Sequence, residues 1–289
     1  MSASLLRQVQ RRQPSQPSQD GDGVQIRRIH DFGGGLDPFL MLDELGSERA
    51  DDYIGGFPPH PHRGMQTLTY VVHGGLTHED HLGHSSTIRA GDAQWMHTGR
   101  GIIHSEMPLT DSQGLHAFQL WINLAASEKM SAPTYRDVRA TEMPRLGSLT
   151  EDARGSELTA LGGRWQRDDG EAIEGPLDGL AGQAGVAHVR LGPVSELALR
   201  VDAPTLLVYV FAGELEVGET RVPAGQLARL GNGNRLMLSS AEGADALLLA
   251  GTPHGEPIAH YGPFVMNHQH ELDQALRDYR DGSFADGTA

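Results

Sequence analysis

The sequence predicts an all-β protein made of two tandem barrels, with one short helix near its C-terminal end. Three observations carry this prediction. Short strand-like runs such as Gln66–Val72 and Phe118–Asn123 are separated by glycine-bearing turns at Gly74-Gly75, Gly83 and Gly99-Arg100-Gly101, the spacing of a barrel or sandwich. The chain also echoes itself, since Tyr70–Leu76 resembles Tyr209–Leu215, and Ala90-Gly91 resembles Ala224-Gly225. The two offsets, 139 and 134 residues, differ by the length of a shortened hairpin, which points to a duplicated barrel. Only the tail shows helical periodicity.

The elements follow in order. Residues 1–23 carry arginines and Pro-Ser-Gln repeats without an apolar run and a small-residue cleavage site, so a mobile segment is expected rather than a secretory signal. Residues 24–130 form the first barrel. Residues 131–185, rich in Glu, Asp, Pro and Gly, read as a linker with irregular or short strand content. Residues 186–262 form the second barrel. In 263–289, Asn267 is expected to cap a helix over His268–Arg280, with Leu272, Ala275, Leu276 and Tyr279 on one face.

Composition removes several function classes. There is no cysteine, hence no disulfide, thiolate metal site or cysteine nucleophile. The formal net charge of -15, with Lys129 the only lysine, opposes direct nucleic-acid binding. No stretch approaches the roughly 20 apolar residues of a membrane span. A cytoplasmic protein with no membrane partner is expected. Gly33-Gly34-Gly35 lacks the strand-turn-helix context and lysine of a phosphate loop and reads as a turn, and no nucleophile elbow occurs.

Nine of the 15 histidines lie between His60 and His116, and their positions matter more than their number. His60 and His62 are one residue apart on a segment that Pro58, Pro59 and Pro61 keep extended, so both imidazoles point to one face. His104 and Glu106 repeat that spacing after the Gly99–Gly101 turn. If the two strands neighbour each other, three imidazoles and one carboxylate converge, a set that suits divalent iron, manganese, nickel, cobalt or copper and leaves coordination positions open. A solvated loop is the usual fate of one isolated His-x-His; two same-face pairs in one β domain favour a metal. His73, His78, His84 and His116 read as ordinary turn or strand residues. His268 and His270 lie on the expected helix, where that spacing turns the side chains apart.

Four motifs then resemble the pirins, a branch of the cupin superfamily: Gly56-Phe57-Pro58-Pro59-His60-Pro61-His62-Arg63-Gly64, His78-Glu79-Asp80, Gly91–Met96 and Gly99–Pro108. The likeness is dense over 24–123, looser through Lys129-Met130 and the second barrel, and clear again at Tyr261–Asn267. It implies two tandem cupin (double-stranded β-helix, jelly-roll) barrels with one metal in the first, held by His60, His62, His104 and Glu106. Fe(II) is the expected ion, with nickel, cobalt, copper, manganese or zinc as alternatives. Carrying the two offsets from the ligand pairs leads to Leu199, Val201, Leu238 and Ser240, so the second barrel is expected to be metal-free. Three positions depart from the family pattern. Gln66 stands where many pirins have glutamate, His97 where threonine or serine is usual, and His81 where an apolar residue is common. Gln66 is expected to point inward; His97 and His81 are expected at the pocket mouth or, the favoured reading, in surface hydrogen bonds.

The resemblance implies a quercetin 2,3-dioxygenase-type oxidoreductase that opens the ring of a flavonol or similar small aromatic substrate, with Glu106 as the catalytic base. The alternative is a redox- or metal-sensing regulator that binds a protein partner. A third reading is a cupin whose metal only stiffens the barrel.

Overall fold

A computed structural model of the chain describes residues 5–111, 113–149 and 154–284. The chain divides into two compact units, one comprising Gln16–Ala140 with His254–Ala289 and the other Met1–Ser15 with Thr141–Pro253. Among the described residues both are β-rich, and one α-helix is present, Gln269–Arg280.

The first unit contains a seven-stranded and a four-stranded sheet, with a two-stranded hairpin in its C-terminal segment. Its seven-stranded sheet runs in the order Thr134–Val138, Ala93–His97, Met65–His73, Leu115–Asn123, Phe39–Ser47, Val24–His30 and Gln16–Asp20. The four-stranded sheet runs Phe57–His62, Ile102–Pro108, Gly75–Asp80 and Ser85–Arg89. Alternation sets the inner face: Val24 and Ile26 are buried, whereas Gln25 and Arg27 are not. Those inward side chains join Leu45, Val71, Leu76, Ile88 and Leu115 in one apolar cluster, each such aliphatic contributing about 1.5–3 kcal/mol on burial.

The second unit is a twelve-stranded sheet bent around the 13-residue strand Thr205–Val217, which pairs with four others. Its interior is a cluster of Leu, Val and Ala side chains with Trp165. The duplication is visible in the hydrogen bonding. The Gly91 amide donates to the Val71 carbonyl at 2.8 Å, and the Gly225 amide donates to the Val210 carbonyl at 2.8 Å, reproducing both sequence offsets. Leu199 and Leu238 are fully buried, Val201 nearly so, and Ser240 donates to the Glu214 carbonyl. Register pairs Leu197 with Leu238 and Leu199 with Leu236, so the alignment slips by two residues without changing which face is apolar.

Several expectations need correction. From Val9 onward the N-terminal segment is largely strand rather than a mobile tail: Val9–Pro14 pairs with Gln226–Leu230, and Gln16–Asp20 pairs with Val24–His30. Buried Arg7 anchors it by donating to the carbonyls of Val201, Ala203 and Gly231. Main-chain pairing and one guanidinium hold this segment, and neither leaves an apolar pattern to read. Within 131–185 the described residues include the short strands Thr134–Val138, Gly155–Gly162 and Arg164–Arg167, as the sequence allowed. The compact units part near Ala140 and Pro253. The helix begins one residue late, with His268 at its N-cap. Glu271 accepts the amides of Asn267 and His268, while the Asn267 side chain donates to Glu256 and Pro257.

The segment after Pro253 returns to the first unit. Its hairpin pairs Ala259–Tyr261 with Phe264–Met266, and Leu272 and Ala275 pack on Phe264, Met266 and Phe284. Lys129, 1% exposed, ties this segment down by donating to the Gly64 and Val265 carbonyls and to Asn123 Oδ1 at 2.8–3.0 Å. Burial pushes its ammonium down to about 8 against the pull of nearby carboxylates. Lys129→Met leaves three buried acceptors unpaired and is expected to cost about 3 kcal/mol in urea unfolding; a loss below about 0.5 kcal/mol would contradict this clasp.

Candidate metal centre

The site is built on the four-stranded sheet. Pro58, Pro59 and Pro61 remove amides from Phe57–His62, which is tolerated because that strand is the sheet's edge. Its partner Ile102–Pro108 sets His60 opposite His104 and His62 opposite Ile102, so the even-numbered side chains share the inner face. The chain then turns at Gly64, with φ +81° and the Val265 carbonyl 2.0 Å from where a Cβ would stand. Only glycine fits there. Next to it, Arg63 bonds the Arg100 carbonyl, pairs with Asp278 at 2.6 Å and lies 4.4 Å over the Phe284 ring. The His-Pro-His segment is thereby clamped at its exit.

His60, His62 and His104 converge, each offering one ring nitrogen within 4.8 Å of the others. His62 and His104 are 2% and 1% exposed. Both nitrogens of His62 and Nε2 of His104 lack a hydrogen-bond partner, although the Pro263 backbone lies close to His62. Nδ1 of His60 faces the Pro58 carbonyl at 2.9 Å, which fixes the proton there and leaves the Nε2 lone pair to the centre. Burial first, then the neighbouring imidazoles, hold His62 and His104 well below the ordinary value of 6.5. Neutral imidazoles with converging, otherwise unused lone pairs are what a first-row metal ion requires.

Glu106 stands apart from this group. It is buried, but its carboxylate accepts Thr69 Oγ1 at 3.0 Å and Gln119 Nε2 at 2.6 Å, and it is not among the three converging residues. The register shifts between His104 and Glu106, so that Glu106 pairs with Phe57. Strand parity gives the face but does not foresee such a shift. Gln66 and His97 do not line the adjoining cavity; Gln66 Nε2 meets His97 Nδ1 at 3.1 Å, and His97 Nε2 meets Ser131 Oγ at 2.6 Å. His81 Nδ1 accepts the Ile103 amide.

His60 and His62 open onto a cavity of about 550 Å³. Its walls include Phe32, Met41, Phe57, Trp121 and His260, with Gln119 reaching back to Glu106. Phe32 and His260 stack at 3.7 Å and 6°. Toward another part of the wall, Arg28 bridges Asp20 and Asp43. An apolar, aromatic wall with a few polar groups suits a flat ligand. His78, on the strand Gly75–Asp80, is 1% exposed and has Nδ1 3.4 Å from His104 Nδ1.

Fold and site together define a two-barrel β protein with a three-histidine group, two of its members buried, able to receive a metal ion. The family model described as Pirin matches residues 24–122, and that described as Pirin C-terminal cupin domain matches 186–285. The chain belongs to the pirin family. It is 42% identical, over 96% of its length and 98% of the relative's, to a Vibrio cholerae protein named provisionally as a quercetin 2,3-dioxygenase. A crystal structure of quercetin 2,3-dioxygenase from Acinetobacter baumannii superposes with a TM-score of 0.87 at 30% identity, covering 97% of this chain and 99% of the other. A bacterial pirin from Escherichia coli, solved in complex with nickel(II), shares the fold at a TM-score of 0.56 and 20% identity, covering 83% and 96%.

The depressed histidines have a consequence for the metal-free protein. Between their folded values and 6.5, the unfolded chain binds more protons than the folded one, so stability falls as pH drops through that window. Urea midpoints of chelator-treated protein are expected to decline between pH 7.5 and 5.5, with a smaller decline in His104→Leu; equal declines in both would contradict the assignment.

Proposed function

We propose that the chain is a metal-dependent dioxygenase acting on a flavonol or a closely related flat, hydroxylated aromatic. The observation that carries this reading is the three-histidine group, whose His60 and His62 open onto an aromatic-walled cavity of about 550 Å³. Its likeness to proteins named as quercetin 2,3-dioxygenases supports the same substrate class.

His60, His62 and His104 hold the ion in this proposal, with Fe(II) first among the candidates. When bound, the ion supplies Lewis acidity toward a substrate hydroxyl and redox chemistry toward dioxygen. The remaining work belongs to the chain. Phe32, Phe57, Trp121 and His260 bind the ring and exclude water. Glu106 is the proposed acceptor of the substrate proton and fourth ligand, its carboxylate keeping lone pairs beyond those that accept Thr69 and Gln119. Gln119 stands between that carboxylate and the cavity, so it must swing aside or hand the proton's hydrogen bond across.

Loss of quercetin absorbance under air tests this proposal, with protein loaded separately with iron, nickel, cobalt or copper. Turnover with at least one ion, absent in His104→Ala, is expected. Glu106→Gln is expected to keep the metal but lower kcat by about 10²–10⁴-fold. No turnover with any ion despite stoichiometric binding would overturn the dioxygenase reading.

A further inference from the structure

We propose that His78, held by Asp80, is a positioning residue that orients His104 toward the three-histidine centre. The inference rests on the metal-binding reading of that centre. His78 and Asp80 lie on Gly75–Asp80, the strand flanking Ile102–Pro108 on the side away from His60. Register places Asp80 opposite His104 and His78 opposite Glu106, all on the inner face.

The contacts form a directed chain. His104 Nδ1 lies 3.4 Å from His78 Nδ1, and His78 Nε2 lies 3.4 Å from Asp80 Oδ2. His104 Nε2, at the opposite edge of that ring, has no partner. One proton arrangement satisfies every atom: His104 Nδ1–H donates to His78 Nδ1, and His78 Nε2–H donates to Asp80. This leaves a lone pair on His104 Nε2, pointed into the centre. Both contacts are long for hydrogen bonds, so they fix orientation and tautomer more than they add stability.

His78 is not itself a ligand in this scheme, because it lies outside the converging group and behind the ring of His104. Asp80 is a firm anchor. Its side chain is fully buried and also accepts His84 Nδ1 at 2.7 Å and the amides of Leu82 and His84 at 2.9 and 3.1 Å. Tyr135 stacks on His78 at 4.6 Å and on His84 at 4.9 Å, and its hydroxyl donates to Asp137 at 2.6 Å. These neighbours keep the His78 ring from turning. A carboxylate acting through one imidazole upon a second imidazole extends the familiar carboxylate–histidine–metal arrangement by one residue.

The test is Co(II) affinity by chelator competition, with the visible ligand-field spectrum as a second readout and thermal unfolding of the metal-free protein as a check on folding. His78→Leu is expected to weaken Co(II) binding by about 10–100-fold and to alter the spectrum. His78→Gln, which carries both a donor and an acceptor, is expected to restore most of the affinity and the spectrum. Asp80→Asn gives the same readout if His78→Leu does not fold, with about tenfold weakening expected. Unchanged affinity and spectrum in His78→Leu or Asp80→Asn, while His104→Ala abolishes binding, would overturn the positioning role and leave the centre intact. Unchanged binding in His104→Ala itself would overturn the metal reading and this inference with it.

Discussion

A polar atom buried without a partner costs about 1–3 kcal/mol, and the first barrel carries three such ring nitrogens on His62 and His104 within one small space. A barrel stabilised by packing alone would fill these positions with apolar side chains. The second barrel does so: Leu197, Leu199, Leu236 and Leu238 occupy the equivalent paired strands in a dry core. The difference between the two copies is therefore chemical rather than architectural. In one, the paired strands present leucines to each other; in the other, they present imidazoles held neutral by burial.

Much of the surrounding structure keeps those imidazoles in place. The proline-rich edge strand stays extended, Gly64 allows a close approach of the Val265 carbonyl, and Arg63 is gripped by Asp278 and Phe284 from the C-terminal segment. Lys129 binds the same segment to Gly64 and Asn123. Pro263 and His260, from that segment, also line the cavity. The C-terminal segment is thus part of the site's support and part of its wall, which explains why its Tyr261–Asn267 motif stands out in the sequence as clearly as the histidines do.

The duplicated β architecture and three histidines were legible because alternation and offset are local, periodic signals. His60, His62 and His104 follow from side-chain parity once two strands are assumed adjacent. Glu106 shows the limit of that reasoning: parity gives its face, but not the register shift beside it or the donors Thr69 and Gln119 that its carboxylate accepts. Val9–Pro14 escaped notice because an exposed, polar strand is held by main-chain pairing. The helix cap moved from Asn267 to His268 because Glu271 and the acceptors at Glu256 and Pro257 engage Asn267 otherwise. The contact of His78 with His104 was not legible in the sequence, since it depends on which strand flanks the second pair.

The most direct test of the central claim is X-ray absorption at the metal edge of the Fe(II)-loaded protein, beside the same measurement on His62→Ala. The account predicts one ion per chain, with outer-shell scattering from three imidazoles in the native protein and from two, or no retained ion, in the variant. An iron spectrum without imidazole scattering, or one unchanged by His62→Ala, would contradict it.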